Sequence, residues 1–158
     1  MATRFIGTFE NKVDAKGRVS VPAQFRQVLA GQPFTGIAVF RSHRAEAIEG
    51  CGMDFMDQMI DRVGGLELFS SESDDLATSI FSDTQQLAFD STGRIQLPEN
   101  FRQHAGITDK AAFVGKGQMF QIWEPAKLEA HKAAARQRAR DEQLPLPPLG
   151  GGPGGGGR

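Results

Sequence analysis

The sequence predicts an α+β fold made from two copies of one strand-and-helix unit, with further helices beside them. Three observations predict it. The stretch Val13-Asp14-Ala15-Lys16-Gly17-Arg18-Val19-Ser20-Val21-Pro22-Ala23-Gln24-Phe25-Arg26 returns as Phe89-Asp90-Ser91-Thr92-Gly93-Arg94-Ile95-Gln96-Leu97-Pro98-Glu99-Asn100-Phe101-Arg102. Asp, Gly, Arg, Pro, Phe and Arg recur at one offset, 90 − 14 = 76 residues. Apolar and polar residues alternate after each glycine, the period of a half-buried strand. Between the copies, Phe55, Met56, Met59, Ile60 and Val63 follow helical spacing. An offset of this length exceeds the ~20–50 residues of a solenoid repeat, so the two copies belong to one domain.

Phe5 to Val13 reads as the first strand, with Phe5, Phe9 and Val13 available for a core. Asp-x-x-Gly then marks a tight turn, in which Gly17 and Gly93 supply a backbone position with positive φ. Asp14 and Asp90 suit the start of that turn, where a carboxylate accepts bonds from backbone N–H groups. Val19 and Val21, like Ile95 and Leu97, give the following strand its buried side. Pro22 and Pro98 cannot continue a ladder and fit the first turn of a helix. Short helices are expected over 23–29 and 99–105, ended by Gly31 and Gly106. A further hairpin follows each, over roughly 37–48 and 112–123.

Arg41 to Arg44 reads as a basic turn, and Met53–Val63 as a core-facing helix closed by Gly64-Gly65. Ser71–Phe81 reads as a second, acidic helix with Ser73 as a candidate N-cap. Pro125 opens a long Ala-rich helix to about Arg140, carrying Lys127, Lys132, Arg136, Arg138 and Arg140. From Leu144 the chain turns to Pro and Gly, a composition that buries no core and is expected to be disordered. The divisions are therefore 4–50 for the first repeat, 51–82 for a helical insert and 83–124 for the second repeat. Residues 125–142 form the C-terminal helix and 143–158 the Gly/Pro tail.

At 158 residues the chain can bury one good core. It has no long apolar run that would span a membrane. Its start, Met1-Ala2-Thr3-Arg4-Phe5-Ile6, lacks the apolar core of a signal peptide. Cys51 is the single cysteine, which excludes an intrachain disulfide and suits a reducing cytoplasm. One Cys and three scattered His residues leave no zinc spacing, and no cofactor is expected.

The formal net charge is −1. Its distribution is uneven: residues 46–90 hold one base, Arg62, against eleven acids, whereas 1–45 stand at +5 and 91–158 at +4. Such segregation points to a molecule with an acidic side and a basic side.

An enzyme reading has one handle. Asp90-Ser91-Thr92-Gly93 is similar to the Asp-Thr-Gly loop of aspartic proteases, but it is off by one residue. The first copy has no hydroxyl there, and Lys16 would disturb a shared-proton dyad. No phosphate loop, metal cluster or nucleophile–base pair appears, so the chain reads as a non-enzyme with no small-molecule substrate.

The duplicated Asp-x-Lys-Gly-Arg-x-x-x-Pro element resembles the MraZ family, the two-copy relatives of AbrB/SpoVT-type transcription regulators. The resemblance covers about residues 4–140. It rests on both Asp-x-x-x-Arg copies, on the Pro-x-x-Phe-Arg after each, and on Trp123-Glu124. It implies two AbrB-like swapped-hairpin units forming one pseudo-two-fold β-barrel with flanking helices, assembled as a closed ring. It further implies a cytoplasmic, nucleoid-associated regulator that binds short G-containing direct repeats in double-stranded DNA upstream of the division and cell-wall gene cluster.

The residues suit such a role. Arg offers a rigid two-pronged donor for the O6 and N7 acceptors of guanine, and Lys a flexible point charge. The resemblance carries DNA contact onto Lys16, Arg18 and Arg94, with Gly17 and Gly93 letting the backbone approach the groove. Thr92 departs from the lysine of the first copy. A second reading has Arg18 and Arg94 pair with Asp14 and Asp90 to brace the turns, and the two readings are compatible. Lys12, Arg4 and Arg26 are candidates for phosphate contact or for a solvated face. The basic C-terminal helix suits subunit contact or polyanion contact. The competing function is a ring-forming protein-interaction scaffold.

Overall fold

The computed structural model describes residues 4–65 and 70–149. It forms two compact units, Met1–Pro125 and Ala126–Arg158. The first is α+β. Its strands are β1 (Thr8–Lys12), β2 (Arg18–Ser20), β3 (Gly36–Arg41), β4 (Ile48–Cys51), β5 (Gln85–Ala88), β6 (Arg94–Gln96), β7 (Lys110–Gly115) and β8 (Phe120–Trp123). Its helices are α1 (Ala23–Leu29), α2 (Met53–Gly64), α3 (Ser71–Leu76) and α4 (Glu99–Ala105), with a π-helical turn at Ala77–Phe81. The second unit holds most of α5 (Pro125–Glu142), in which Leu128 is buried and residues 136–142 are exposed.

Six strands form an antiparallel sheet in the order β1-β7-β8-β4-β3-β5, and β2 and β6 form a separate two-stranded ribbon. Strand, strand, helix, strand, strand occurs twice, and the pairing between the two runs is reciprocal. β1 pairs with β7, β5 with β3, and β2 with β6. Exchanging the runs maps the sheet order onto itself, with β4 and β8 paired at its middle.

Among the described residues no closed barrel is found where a pseudo-two-fold β-barrel is expected. β1 and β5 are opposite edges of the sheet and do not pair with each other. β2 and β6 span three residues each and run into Val21-Pro22 and Leu97-Pro98 respectively, where proline has no N–H to extend a ladder.

The core lies between the sheet, the ribbon and helices α1 and α4. Val19, Val21, Ile95 and Leu97 join Phe5, Phe25, Phe101, Phe113 and Phe120 in one buried cluster. Phe25 is its aromatic hub. Its ring centroid stands 5.1 Å from Phe5, 5.5 Å from Phe9 and 5.3 Å from Phe120. β3 is buried on both faces: Ile37 and Val39 enter this cluster, whereas Ala38 and Phe40 meet Cys51, Phe55 and Met56 in a second one. That explains its unbroken apolar run.

Several local expectations change. The first strand starts at Thr8, because Gly7 at φ 90° bends the chain, although Phe5 still bridges to Gly117. Gly106 ends α4 in a left-handed cap, but α1 ends at an extended Ala30 before Gly31. Gly65 caps α2 in a right-handed helical conformation. Ser70, and not Ser73, caps α3: its Oγ accepts the Ser73 N–H at 3.1 Å.

Arg41 is the end of β3 and not part of a free basic turn. Its Nη2 donates to Asp83 Oδ1 at 2.6 Å, its backbone N–H donates to Asp83 Oδ2, and its guanidinium lies 5.7 Å from the Phe101 ring centre. Residues 144–149 adopt no helix or strand, and 150–158 of the expected disordered tail lie outside the described residues. Among the described residues, no helix is long and apolar enough to cross a membrane.

Candidate nucleic-acid interface

The two Asp-x-x-Gly-Arg segments fold alike. In the first, Gly17 N–H donates to Asp14 C=O (2.9 Å) and Asp14 N–H to Arg18 C=O (3.0 Å). In the second, Gly93 donates to Asp90 C=O (3.0 Å) and Asp90 N–H to Arg94 C=O (2.8 Å). Gly17 and Gly93 sit at φ 87° and 82°, conformations that a side chain disfavours. Asp14 Oδ1 accepts the N–H groups of Lys16 and Arg18 at 2.9 and 2.8 Å. Asp90 Oδ1 accepts those of Thr92 and Arg94, both at 2.9 Å.

The remaining carboxylate oxygen aims an arginine. Arg18 Nε donates to Asp14 Oδ2 at 2.6 Å and Arg94 Nε to Asp90 Oδ2 at 2.9 Å. The aspartates thus brace the turns and pose the arginines at once. Nε is occupied, while the Nη1 and Nη2 groups of both arginines make no hydrogen bond among the described residues. Each side chain keeps more than a third of its surface exposed.

Both carboxyls are held below the usual range. For Asp14 the Arg18 backbone N–H does most, aided by the Arg18 side chain and the Lys16 N–H, with burial opposing. For Asp90 the Arg94 backbone N–H leads, aided by Thr92 and the Arg94 side chain, again against burial.

The ribbon fixes where the arginines stand. Its register pairs Arg18 with Gln96, Val19 with Ile95, and Ser20 with Arg94. Residues opposite each other in an antiparallel pair share a face, and faces alternate along a strand. Val19 and Ile95 are each 1 % exposed, so they define the core side. Arg18, Ser20, Arg94 and Gln96 therefore share the outer side. The antiparallel order sets the two turns at opposite ends of the ribbon, not side by side. By ordinary strand spacing the arginine Cα atoms stand roughly 8 Å apart on the diagonal.

Two further residues belong to this frame. Arg102 Nε donates to Leu97 C=O and Arg26 Nε to Val21 C=O, each at 3.0 Å. Arg102 packs over Gly17 and Arg26 over Gly93, so the arginine of each copy covers the turn of the other. Arg26 is thereby a support for the second turn, whereas Arg4 and Lys12 are exposed. The repeated Pro-x-x-Phe-Arg could have signalled this pair, since only two residues of a recurring role would recur together.

Lys16 is exposed at the first tip. Its counterpart Thr92 is exposed as well, but its Oγ1 is engaged, donating to Asp90 Oδ1 at 2.9 Å. Among the described residues, no group of three or more His, Cys, Asp or Glu side chains could hold a metal ion.

Residues 80–144 match the family model for the MraZ protein, whose description adds "antitoxin-like". A Rickettsia canadensis protein named "Transcriptional regulator MraZ" is 41% identical over 142 residues, covering 90% of this chain and 95% of its own length. The chain belongs to the MraZ family. The MraZ regulator of Pelagibacter ubique is 44% identical over 135 residues, 85% of this chain and 87% of that one. That of Rickettsia bellii is 41% identical over 143 residues, with 90% and 95% covered. The similarity to MraZ relatives thus takes in most of the chain.

Proposed function

We propose that this member of the MraZ family is a transcriptional regulator that binds double-stranded DNA through the outer face of the β2–β6 ribbon. The observation that carries the reading is the shared face of Arg18 and Arg94, set by the register opposite a buried Val19–Ile95 pair. A two-stranded ribbon fits the major groove, and two arginines about 8 Å apart span two to three steps of roughly 3.4 Å. Lys16, Arg18 and Arg94 make the contacts, while Gly17 and Gly93 allow close approach and Asp14 and Asp90 hold the poses. The names of the relatives, transcriptional regulators all, support the same reading.

In this reading residues 4–50 and 83–124 are two AbrB-like repeats, 51–82 an insert, 125–142 a C-terminal helix and 143–158 a tail. Several subunits join head to tail in a closed ring, which suits direct repeats in DNA as a two-fold dimer suits palindromes. Repetition of the ribbon turns weak single engagements into avidity. The protein acts in the cytoplasm at the nucleoid, on short G-containing repeats ahead of the division and cell-wall genes.

The test is a mobility-shift assay on the duplex just upstream of the protein's own gene. Wild type is expected to shift it specifically, and the Arg18→Ala/Arg94→Ala protein, folded and assembled, to lose the specific shift. Unchanged affinity in that double variant would overturn the site assignment.

A further inference from the structure

The two ends of the ribbon are not equivalent, although the framework around them is. At one end Arg18 stands opposite Gln96, with Lys16 at the adjoining tip. At the other, Arg94 stands opposite Ser20, with Thr92 at the tip. Position 96 corresponds to position 20 in the recurrence, so the long amide at one end has a short hydroxyl as its counterpart at the other. Gln96 is exposed, and its Nε2 donates to the Lys16 C=O at 2.8 Å, which lays the side chain over the first turn.

We propose that Gln96 is a base-reading residue and that it gives each DNA element a direction. The inference rests on the DNA-binding reading above. A primary amide has two N–H donors and one acceptor oxygen. The Lys16 carbonyl takes one donor, which leaves one N–H and Oε1, the pair that matches N7 and N6 of adenine in the major groove. Direct cross-strand partners have Cβ atoms about 5 Å apart. Gln96 therefore reads the step next to the guanine met by Arg18. Ser20 is too short to reach the equivalent place beside Arg94, and Thr92 is already turned onto Asp90. One end of the ribbon reads a guanine and its neighbour; the other reads a guanine alone. The bound sequence is non-palindromic even though the backbone that holds it repeats.

The test is selection by the full-length protein from a duplex library with ten randomised base pairs, followed by affinities for the enriched duplex and its single-base variants. Wild type is expected to enrich a directional motif with adenine beside one guanine, and to prefer that adenine by roughly 5- to 150-fold. Gln96→Ala is expected to lose this preference at that one position and keep the guanines. The Ser20→Gln/Thr92→Lys protein is expected to gain a second adenine in the mirrored place. If wild type enriches a motif that Gln96→Ala leaves unchanged, the proposal is wrong while the DNA-binding reading stands. A uniform loss over all sequences in Gln96→Ala would mean that the side chain only steadies the turn, and would also overturn it. No enrichment by wild type sinks the DNA-binding reading itself, and this inference with it.

Discussion

Arg102 lies across Gly17. A Cβ on that glycine would come within 2.8 Å of the Arg102 Nε and 2.7 Å of the Leu97 carbonyl oxygen. At Gly93 the corresponding atoms all belong to Arg26, the nearest at 2.8 Å. The nearest atom to a Cβ in the first turn is therefore fixed backbone, and in the second a side chain that can move.

Gly17→Ala and Gly93→Ala should separate on this difference. Both place a side chain at positive φ, at a cost of about 1–2 kcal/mol. Gly93→Ala adds only the displacement of Arg26 from the Val21 carbonyl. Gly17→Ala also overpacks against fixed backbone, for about 1–3 kcal/mol more. Urea denaturation of the two variants measures the order, and equal losses would contradict the picture.

Acid should loosen the turns. Asp14 and Asp90 titrate below the ordinary 3.8 in the folded chain, so the unfolded chain binds protons more readily. Their contribution is complete above that value and fades as pH falls through the lower folded values. Amide exchange at Lys16, Thr92, Arg18 and Arg94 is expected to stay slow at pH 5, after correction for intrinsic rates, and to lose protection progressively as pH falls from about 4 through the lower folded values. In the Asp14→Asn/Asp90→Asn protein this step should vanish.

Phe25 and Phe101 hold the same place in their helices but have different neighbours. Phe25 meets the edges or faces of Phe5, Phe9, Phe113 and Phe120, whereas Phe101 carries the Arg41 guanidinium. Phe25→Ala is expected to cost about 3–5 kcal/mol. Phe25→Leu should cost more than Phe101→Leu, because ring pairs add about 0.5–1.5 kcal/mol each beyond buried area. Thermal melts of the two leucine variants decide it.

DNA affinity should fall linearly with salt on logarithmic axes, with a slope near −0.9 for each phosphate neutralised. Lys16→Ala is expected to flatten that slope by about one unit per engaged turn and to weaken all sequences alike. Arg18→Ala should lower specific affinity by roughly 5- to 150-fold and leave the slope nearer its original value. Titrations at four or five salt concentrations separate the two effects.

Much of this arrangement was legible in the chain. α1 and α4 occupy 23–29 and 99–105 as expected, since a proline opens each and the Phe spacing sets the buried side. The turns, their glycines and the Asp–Arg bracing follow from local chemistry. What pairs with what was not legible from periodicity. Alternation tells that Thr8–Lys12 is a strand, but not that it joins Lys110–Gly115, about a hundred residues away. The cross-cover of Arg26 and Arg102 depends on that same long-range exchange, which is why the sequence alone offers Arg26 only as a phosphate contact or a solvated side chain. Gln96 gives no signal in the sequence, because its meaning comes from the residue across the ribbon and not from its own neighbours in the chain. Ser70 and not Ser73 is the cap of α3, because the serines at 70, 71 and 73 offer several starts that local sequence does not rank.

The reciprocal pairing of β1 with β7 and β5 with β3 leaves neither half self-sufficient. A fragment ending before Ser70 would carry β3 with one bare edge and β1 with nothing to lie against. Two such fragments would satisfy one another by the same trade, at the mercy of how often they met. Joining them in one chain turns that bimolecular encounter into a tethered one, worth an effective concentration on the order of millimolar. It also frees each half to change its sequence separately, a liberty that identical partners never have.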